Sequence, residues 1–100
     1  MEQTTVGGLS EEHVADEEVK KLCESVKDAA IEEAGIKYET FTPIAYKTQV
    51  VAGMNYFVKV QVGSGEKDYI VLRIFKSLEG EATLSNLQKD QTKDSPIEYF

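Results

Sequence analysis

The sequence predicts an α+β fold in which a single long helix packs across an antiparallel meander sheet of about five strands. Between Asp16 and Ala34, apolar residues recur three and four positions apart, which is the period of a helix with one buried face. After Gly35 the period changes to two, which is the pattern of strands. Because short connections join these strands, they are expected to pair in sequence order.

The helix is predicted to span residues 16–34, with Asp16 as its N-cap. Glu17 and Glu18 follow near the positive end of the helix dipole, and Gly35 supplies a left-handed residue that ends the helix. The face expected to be buried consists of Val19, Leu22, Cys23, Val26, Ala30 and Ala34.

The strands are predicted from alternating apolar residues and from the breaks between them. Residues 38–50 form the first, where Pro43 lacks the N–H that a ladder needs and is expected to cause a bulge or a local edge. Residues 54–62 and 70–75 form the next two, joined by a polar, glycine-bearing loop, and each is expected to bury one face. Residues 83–91 form the last and weakest strand.

Both ends of the chain are predicted to differ from this regular centre. Residues 1–9 read as a flexible N-terminal arm that becomes a strand near Leu9. Residues 89–96 read as a polar, acidic and less ordered tail. Three apolar residues after it are expected to anchor the chain back onto the sheet: Ile97, Tyr99 and Phe100.

Composition limits the function classes. One hundred residues, 41% of them hydrophobic and 29% charged, fit a single domain over residues 1–100. The net charge of −7 without a basic cluster argues against nucleic acid and against anionic membranes as partners. The first residues lack the basic and apolar segments of a secretory signal, and the single cysteine excludes an internal disulfide, so a cytoplasmic location is expected.

Catalysis has little support in the residues. Cys23 and His13 are the only thiol and imidazole, and they are separated by roughly three helical turns, too far for the hydrogen bond that activates a thiol. One histidine and one cysteine also cannot fill a tetrahedral zinc shell. The sequence therefore predicts no catalytic residue, no metal and no cofactor, with Cys23 buried and His13 exposed.

The connection Gln49-Val50-Val51-Ala52-Gly53 is unusual for a hairpin turn, because only Gly53 is a turn-forming residue. Two valines at a tip expose apolar surface that folding does not require. This loop is expected to be buried in another molecule. The alternative is a tip covered by the protein's own tail or by a second copy of the chain.

Residues 46–60, which read Tyr-Lys-Thr-Gln-Val-Val-Ala-Gly-Met-Asn-Tyr-Phe-Val-Lys-Val, resemble the cystatin family of cysteine-protease inhibitors, and within it the type 1 (stefin) branch. The likeness extends from Gly7 to near the end of the sequence. It implies the cystatin fold and a reversible, tight-binding competitive inhibitor of papain-like cysteine proteases, the cathepsins among them. In that family the N-terminal arm and two hairpin loops wedge into the active-site cleft, and no cofactor is involved.

The resemblance implies protease-binding residues in the arm. Gly7 matches a family glycine that lets the chain pass close to the protease, and the adjacent Gly8 leaves the register open by one residue. Val6 would then occupy the apolar S2 pocket.

In the first loop the resemblance assigns Val50, Val51 and Ala52 to the protease groove. Gln49 orients the loop or meets the edge of the enzyme through a hydrogen bond. Gly53 permits a close backbone turn, which its conformational freedom also favours.

Residues 76–80 resemble the second binding loop, in which leucine is usually followed by proline. Ser77, Leu78 and Glu79 are the expected contacts. Glu79 stands where proline would fix the loop before binding, so this contact is expected to be weaker. The alternative for Leu78 is a side chain that folds back onto the sheet.

Two other functions remain open at this point. One is a cystatin-fold binding scaffold with weakened or redirected inhibition, for which Glu79 is the motivating residue. The other is a self-assembling protein whose apolar hairpin opens and exchanges strands between two chains, which would give a domain-swapped dimer. The inhibitor interpretation predicts a monomer.

Overall fold

The computed structural model describes residues 8–100 and has the predicted α+β architecture. One five-stranded antiparallel sheet, with its strands in sequence order, packs against two consecutive helical segments. The elements are β1 (His13–Val14), α1 (Glu17–Ser25), α2 (Lys27–Ala34), β2 (Thr42–Val51), β3 (Gly53–Gln61), β4 (Tyr69–Lys76) and β5 (Ala82–Gln91).

The two predicted ends of the helical region are confirmed. Asp16 is the N-cap, and its Oδ1 accepts a hydrogen bond from the backbone N–H of Val19 at 2.9 Å. Gly35 lies in the left-handed conformation, with φ of 73°, and its N–H donates to the carbonyl oxygen of Ile31.

The structure differs from the predicted single helix at Val26, which separates α1 from α2 with φ of −113° and ψ of 10°. The Ser25 hydroxyl donates to the carbonyl oxygen of Leu22 at 2.7 Å. The Val26 N–H donates to the carbonyl of Cys23 at 3.1 Å, a tighter turn than an α-helix makes. A serine that bonds back to the preceding turn bends a helix, which accounts for the break.

The first long strand and the arm also differ from prediction. β2 begins at Thr42, and the predicted bulge at Pro43 is confirmed by a register shift between Pro43 and Ala45 in the pairing with β3. The strand expected near Leu9 lies later in the chain, where His13 and Val14 pair with β2.

The sheet is buried on both faces, whereas the alternation predicted one buried face for each strand. The face toward the helices carries the helix-side cluster, to which the central strands contribute Val58, Val60, Ile70, Leu72 and Ile74. The opposite face carries the outer cluster, formed by Phe57, Val71 and Ile97, with Leu9, Ala45 and Phe100 packed against it.

The outer cluster is covered by the segment after β5, which we call the outer strap (residues 92–100). Residues 89–91 belong to β5, and the strap is tied to the sheet rather than forming the less ordered tail that was predicted. The predicted anchors are confirmed: Ile97 is buried, Phe100 packs on the outer cluster, and the Tyr99 ring lies 5.8 Å from that of Phe57.

The β5 edge is irregular. The β4–β5 pairing shifts register twice, between Tyr69 and Val71 and between Arg73 and Ile74. Asp90, near the end of β5, has a positive φ of 61°. Within residues 8–100, neither helix has the length and apolar character needed to cross a membrane.

Candidate functional site

Three of the segments singled out in the sequence approach the same end of the sheet. In an antiparallel meander, the β2–β3 and β4–β5 turns emerge on one side. They are neighbours here, because Met54, next to the first turn, pairs with Lys76, next to the second. The base of the arm joins them where the N–H of Ser10 donates to the carbonyl of Thr48 at 2.8 Å, two residues before Val50. Gly8 is exposed at this end, and the predictions for Val6 and Gly7 lie outside the described residues.

The first turn presents bare apolar side chains. Val50 is 73% exposed, and Val51 and Ala52 are also exposed. No part of the chain within residues 8–100 covers this tip, so the alternative of a tip buried by the outer strap is not met.

Gly53 ends the turn with φ of 115° and lies against β4. A Cβ at this position would lie 2.7 Å from the carbonyl oxygen of Lys76 and 2.9 Å from the ring of Phe75. Both the positive φ and the close approach therefore require glycine. The contact also fixes the first turn relative to the strand that leads into the second.

Gln49 lies beneath the turn and not at its surface. It is 4% exposed, and its Oε1 accepts a hydrogen bond of 2.7 Å from Nδ2 of Asn55, which is 6% exposed. The two residues are direct partners across the β2–β3 ladder. Of the two roles expected for Gln49, orienting the loop is the one that this position permits.

Asn55 is the site residue that the sequence reasoning missed. A turn that ends at Gly53 pairs Val51 with Gly53, and counting outward along both strands places Asn55 opposite Gln49. Two amides paired in this way are a detectable signal once the register is fixed.

The second turn is closed by hydrogen bonds around Ser77. Its carbonyl oxygen accepts from the N–H of Gly80 at 2.9 Å, its N–H donates to the carbonyl of Glu81 at 2.8 Å, and its Oγ accepts from the N–H of Glu81 at 3.1 Å. Gly80 has φ of 95°, as the left-handed residue of such a turn requires. Three hydrogen bonds thus restrict a loop that has no proline.

Leu78 and Glu79 occupy the tip of this second turn. Leu78 is 81% exposed, so it does not fold back onto the sheet. Glu79 is exposed as well, and its carboxylate stays in water beside the apolar tip. Together with Val50, Leu78 forms an exposed apolar surface at one end of the molecule.

Two tyrosines pack below the first hairpin on the helix side. The rings of Tyr46 and Tyr56 lie 6.2 Å apart. Burial raises the pKa of both phenols, and the nearby carboxylates of Asp16 and Glu18 raise them further. Both phenols are therefore neutral at neutral pH and act as packing groups.

The nominal thiol–imidazole pair does not assemble. Cys23 is fully buried in the helix-side cluster, and burial raises the pKa of its thiol to about 12. His13 is exposed on β1, with its ring 5.4 Å from that of Tyr46. Within the part of the chain that the structure describes, no group of three or more histidine, cysteine or carboxylate side chains is placed to hold a metal ion.

Residues 7–96 match the family profile of the cystatin domain. The chain belongs to the cystatin family. Cystatin-B of Oplegnathus fasciatus is 43% identical over 97 residues, with 94% of this chain and 95% of the relative covered. Cystatin-A of Mus musculus is 43% identical over 96 residues, covering 94% and 97%. The leukocyte cysteine proteinase inhibitor 1 of Sus scrofa is 38% identical over 102 residues, covering 99% and 97%.

These relatives are stefin-like cystatins, and the family is one of cysteine-protease inhibitors rather than of enzymes. For an inhibitor family, the shape and the exposed chemistry of the surface matter most. In this cystatin the two turns and the base of the arm lie together at one end of the sheet, where Val50 and Leu78 are exposed.

Proposed function

We propose that this chain is a reversible, tight-binding competitive inhibitor of papain-like cysteine proteases of the cathepsin type. The observation that carries the proposal is the apolar surface made by Val50, Val51 and Leu78 on two adjacent, internally restrained turns. Such a surface fits a groove, and the cystatin family supplies the class of enzyme whose groove it fits.

The energetics of this surface match tight binding. Burying one valine or leucine side chain stabilises a complex by about 1.5–3 kcal/mol, and nanomolar affinity requires about 12 kcal/mol. Three such side chains and one residue of the arm would supply much of that amount. Little is lost on docking, because the Gln49–Asn55 hydrogen bond and the bonds around Ser77 already order both turns.

The arm completes the proposed wedge. Residues before Leu9 would occupy the non-primed side of the cleft, with Val6 in the S2 pocket and Gly7 or Gly8 passing close to the enzyme. The two turns would occupy the primed side. No peptide carbonyl is then presented to the catalytic thiolate in attack geometry, so the inhibitor is not cleaved.

The decisive experiment is a titration of papain, at known active-site concentration, with the parent chain and with the Val50→Asp/Val51→Asp variant. We expect stoichiometric inhibition by the parent and a loss of at least about a hundredfold in affinity for the variant, since two charges would have to enter an apolar groove. An apparent inhibition constant that rises with substrate concentration would show competition.

Val14→Asp is the matched control. Val14 is 83% exposed, but it pairs with Ala45 on the edge of the sheet, away from both turns. We expect this variant to inhibit like the parent. A parent chain that leaves papain fully active at micromolar concentration would refute the proposal, and equal losses in both variants would refute the assignment to the first turn.

We also propose that the inhibitor acts in the cytosol. Its fold needs no disulfide, and its single thiol is buried and held protonated, which suits a reducing compartment. Fractionation of cells that produce the chain would test this, and recovery from the medium would contradict it.

A further inference from the structure

The outer cluster brings together two parts of the chain that are far apart in sequence. Leu9, at the base of the arm, packs against the cluster formed by Phe57, Val71 and Ile97. Phe100 of the outer strap packs against the same cluster, and Ile97 itself belongs to the strap. The surface that receives the arm is therefore built partly by the strap.

The arm has only one other described anchor. The N–H of Ser10 donates to the carbonyl of Thr48 at 2.8 Å, and the N–H of Thr48 donates to Oγ of Ser10 at 2.9 Å. These two bonds fix the backbone at residue 10 against β2. The packing of Leu9 on the outer cluster adds a side-chain anchor one residue earlier.

A buried lysine holds the beginning of the strap. Lys59 of β3 is 3% exposed, and its Nζ donates to the carbonyl oxygens of Thr92 at 2.8 Å and Lys93 at 3.1 Å. The same ammonium reaches the carbonyl oxygen of Ser95 and, at 3.2 Å, its Oγ. An ammonium has three protons and no acceptor, so this ring of oxygens accounts for all of its hydrogen-bonding capacity.

A second cation holds the end of the strap. Nη1 of Arg73 donates to the backbone oxygen of Phe100 at 2.6 Å. The guanidinium also lies over the ring of Tyr99, at 5.0 Å, and over that of Phe57, at 5.7 Å. Both ends of the strap are thus tied to the sheet, with Ile97 pressed into the cluster between them.

We infer that the outer strap and Lys59 are positioning elements for the N-terminal arm: the docked strap completes the surface that holds Leu9 and so directs the preceding residues toward the protease. This inference rests on the proposed function and adds a role for residues outside the wedge. A change that loosens the strap weakens the part of the affinity that depends on the arm, and it leaves the contribution of the two turns unchanged.

A double-mutant cycle tests this coupling. The four proteins are the parent, Ile97→Ala, a chain lacking residues 1–8, and the chain with both changes, each measured for its inhibition constant with papain. We expect Ile97→Ala to raise the inhibition constant about tenfold when the arm is present and by less than about twofold when it is absent. An equal factor in both backgrounds would overturn the inference.

Two further variants separate positioning from general destabilisation. Ile70→Ala removes the same atoms from the helix-side cluster, where Ile70 is as deeply buried as Ile97, and is expected to lower the melting temperature without changing the inhibition constant. Lys59→Met keeps the apolar stem and removes the ammonium, so it loosens the strap without opening a large cavity. It should reproduce the arm-dependent loss, and an arm-independent loss would count against the inference.

Amide exchange in the free protein gives a readout that needs no protease. The Ser10 N–H is hydrogen-bonded and should exchange faster in Ile97→Ala than in Ile70→Ala, since both changes lower the global stability but only Ile97→Ala loosens the strap. Equal exchange at Ser10 in the two variants would overturn the inference. A parent that fails to inhibit papain would overturn only the proposed function.

Discussion

Gly53 meets two independent demands at a single position. Its φ of 115° is strained for any residue with a Cβ, and the space that a Cβ would need is taken by the carbonyl oxygen of Lys76. Gly35 offers a contrast, because its φ is also positive, at 73°, but a Cβ there would meet nothing within 4 Å. Comparing substitutions at Gly53 and Gly35 therefore distinguishes the cost of the steric contact from the cost of the positive φ alone.

Gly53→Ala should destabilise the protein by about 2–4 kcal/mol, since β4 must move to admit the methyl group, whereas Gly35→Ala should cost about 1 kcal/mol. Urea denaturation of both variants measures the difference. Gly53→Ala should also weaken the inhibition of papain, because Val50 and Val51 shift with the turn. Equal destabilisation by the two changes would show that the contact with Lys76 contributes nothing.

The burial of Cys23 should make the free energy of unfolding depend on pH in the alkaline range. Its pKa is raised by burial from 9.0 to about 12, so the folded state favours the neutral thiol. The contribution of this preference to the free energy of unfolding is complete below pH 9.0, the pKa of the thiol in the unfolded chain. It is lost as the pH rises toward about 12, and the loss is on the order of 4 kcal/mol at most.

The free energy of unfolding, measured in urea from pH 8 to pH 11, should therefore fall more steeply for the parent than for Cys23→Val. Tyr38, Tyr46 and Tyr56 also have raised pKa values, so the variant should keep a shallower decline. Parallel curves for the two proteins would mean that Cys23 does not contribute.

At the scale of the elements, the first hairpin depends on a buried polar pair where apolar packing would be the usual arrangement. The amides of Gln49 and Asn55 satisfy each other across the ladder, directly beneath the exposed valines. Removing one partner leaves the other buried and unpaired, which is costlier than removing both.

Asn55→Leu should destabilise the protein by about 1–3 kcal/mol, and Gln49→Leu/Asn55→Leu should recover most of that loss. Denaturation of the two single variants and the double variant completes a cycle that isolates the pair. The double variant should still bind papain less tightly than the parent, since two leucines do not fix the turn geometry. A double variant less stable than either single one would contradict this account.

The elements also show what the sequence can and cannot predict. The helix stripe, its caps, the order of the strands and the bulge at Pro43 follow from local period and turn chemistry, which neighbouring residues determine. The break at Val26 depends on one hydrogen bond from the Ser25 side chain, and such a bond does not alter the spacing of apolar residues from which the helix was predicted. The buried outer face depends on the distant strap, so alternation along β3 alone could not reveal that Phe57 and Lys59 are covered.

For the whole molecule, the apolar surface exposed on the two turns is small, and it belongs to a chain with net charge −7. A specific protein interface usually buries about 800 Å² on each partner. Three exposed side chains on two turns provide much less than that for a flat contact between two copies, and like charges oppose such a contact.

We therefore expect a monomer of 11.2 kDa by light scattering at micromolar to submillimolar concentration. The Val50→Asp/Val51→Asp variant should also be a monomer, since neither valine joins two copies of the chain. A concentration-dependent dimer that disappears in this variant would instead favour exchange of strands through the first hairpin.

The irregular β5 edge bears on how readily this chain, which displays bare valines, could pair edge to edge with another copy. A straight outermost strand offers a row of free N–H and carbonyl groups on which another chain can grow a sheet. Two register shifts and the positive φ of Asp90 interrupt that row. The β5 flank of the sheet therefore gives a growing fibril no straight template, and the exposed valines of the first turn lie at the end of their strands rather than along that flank.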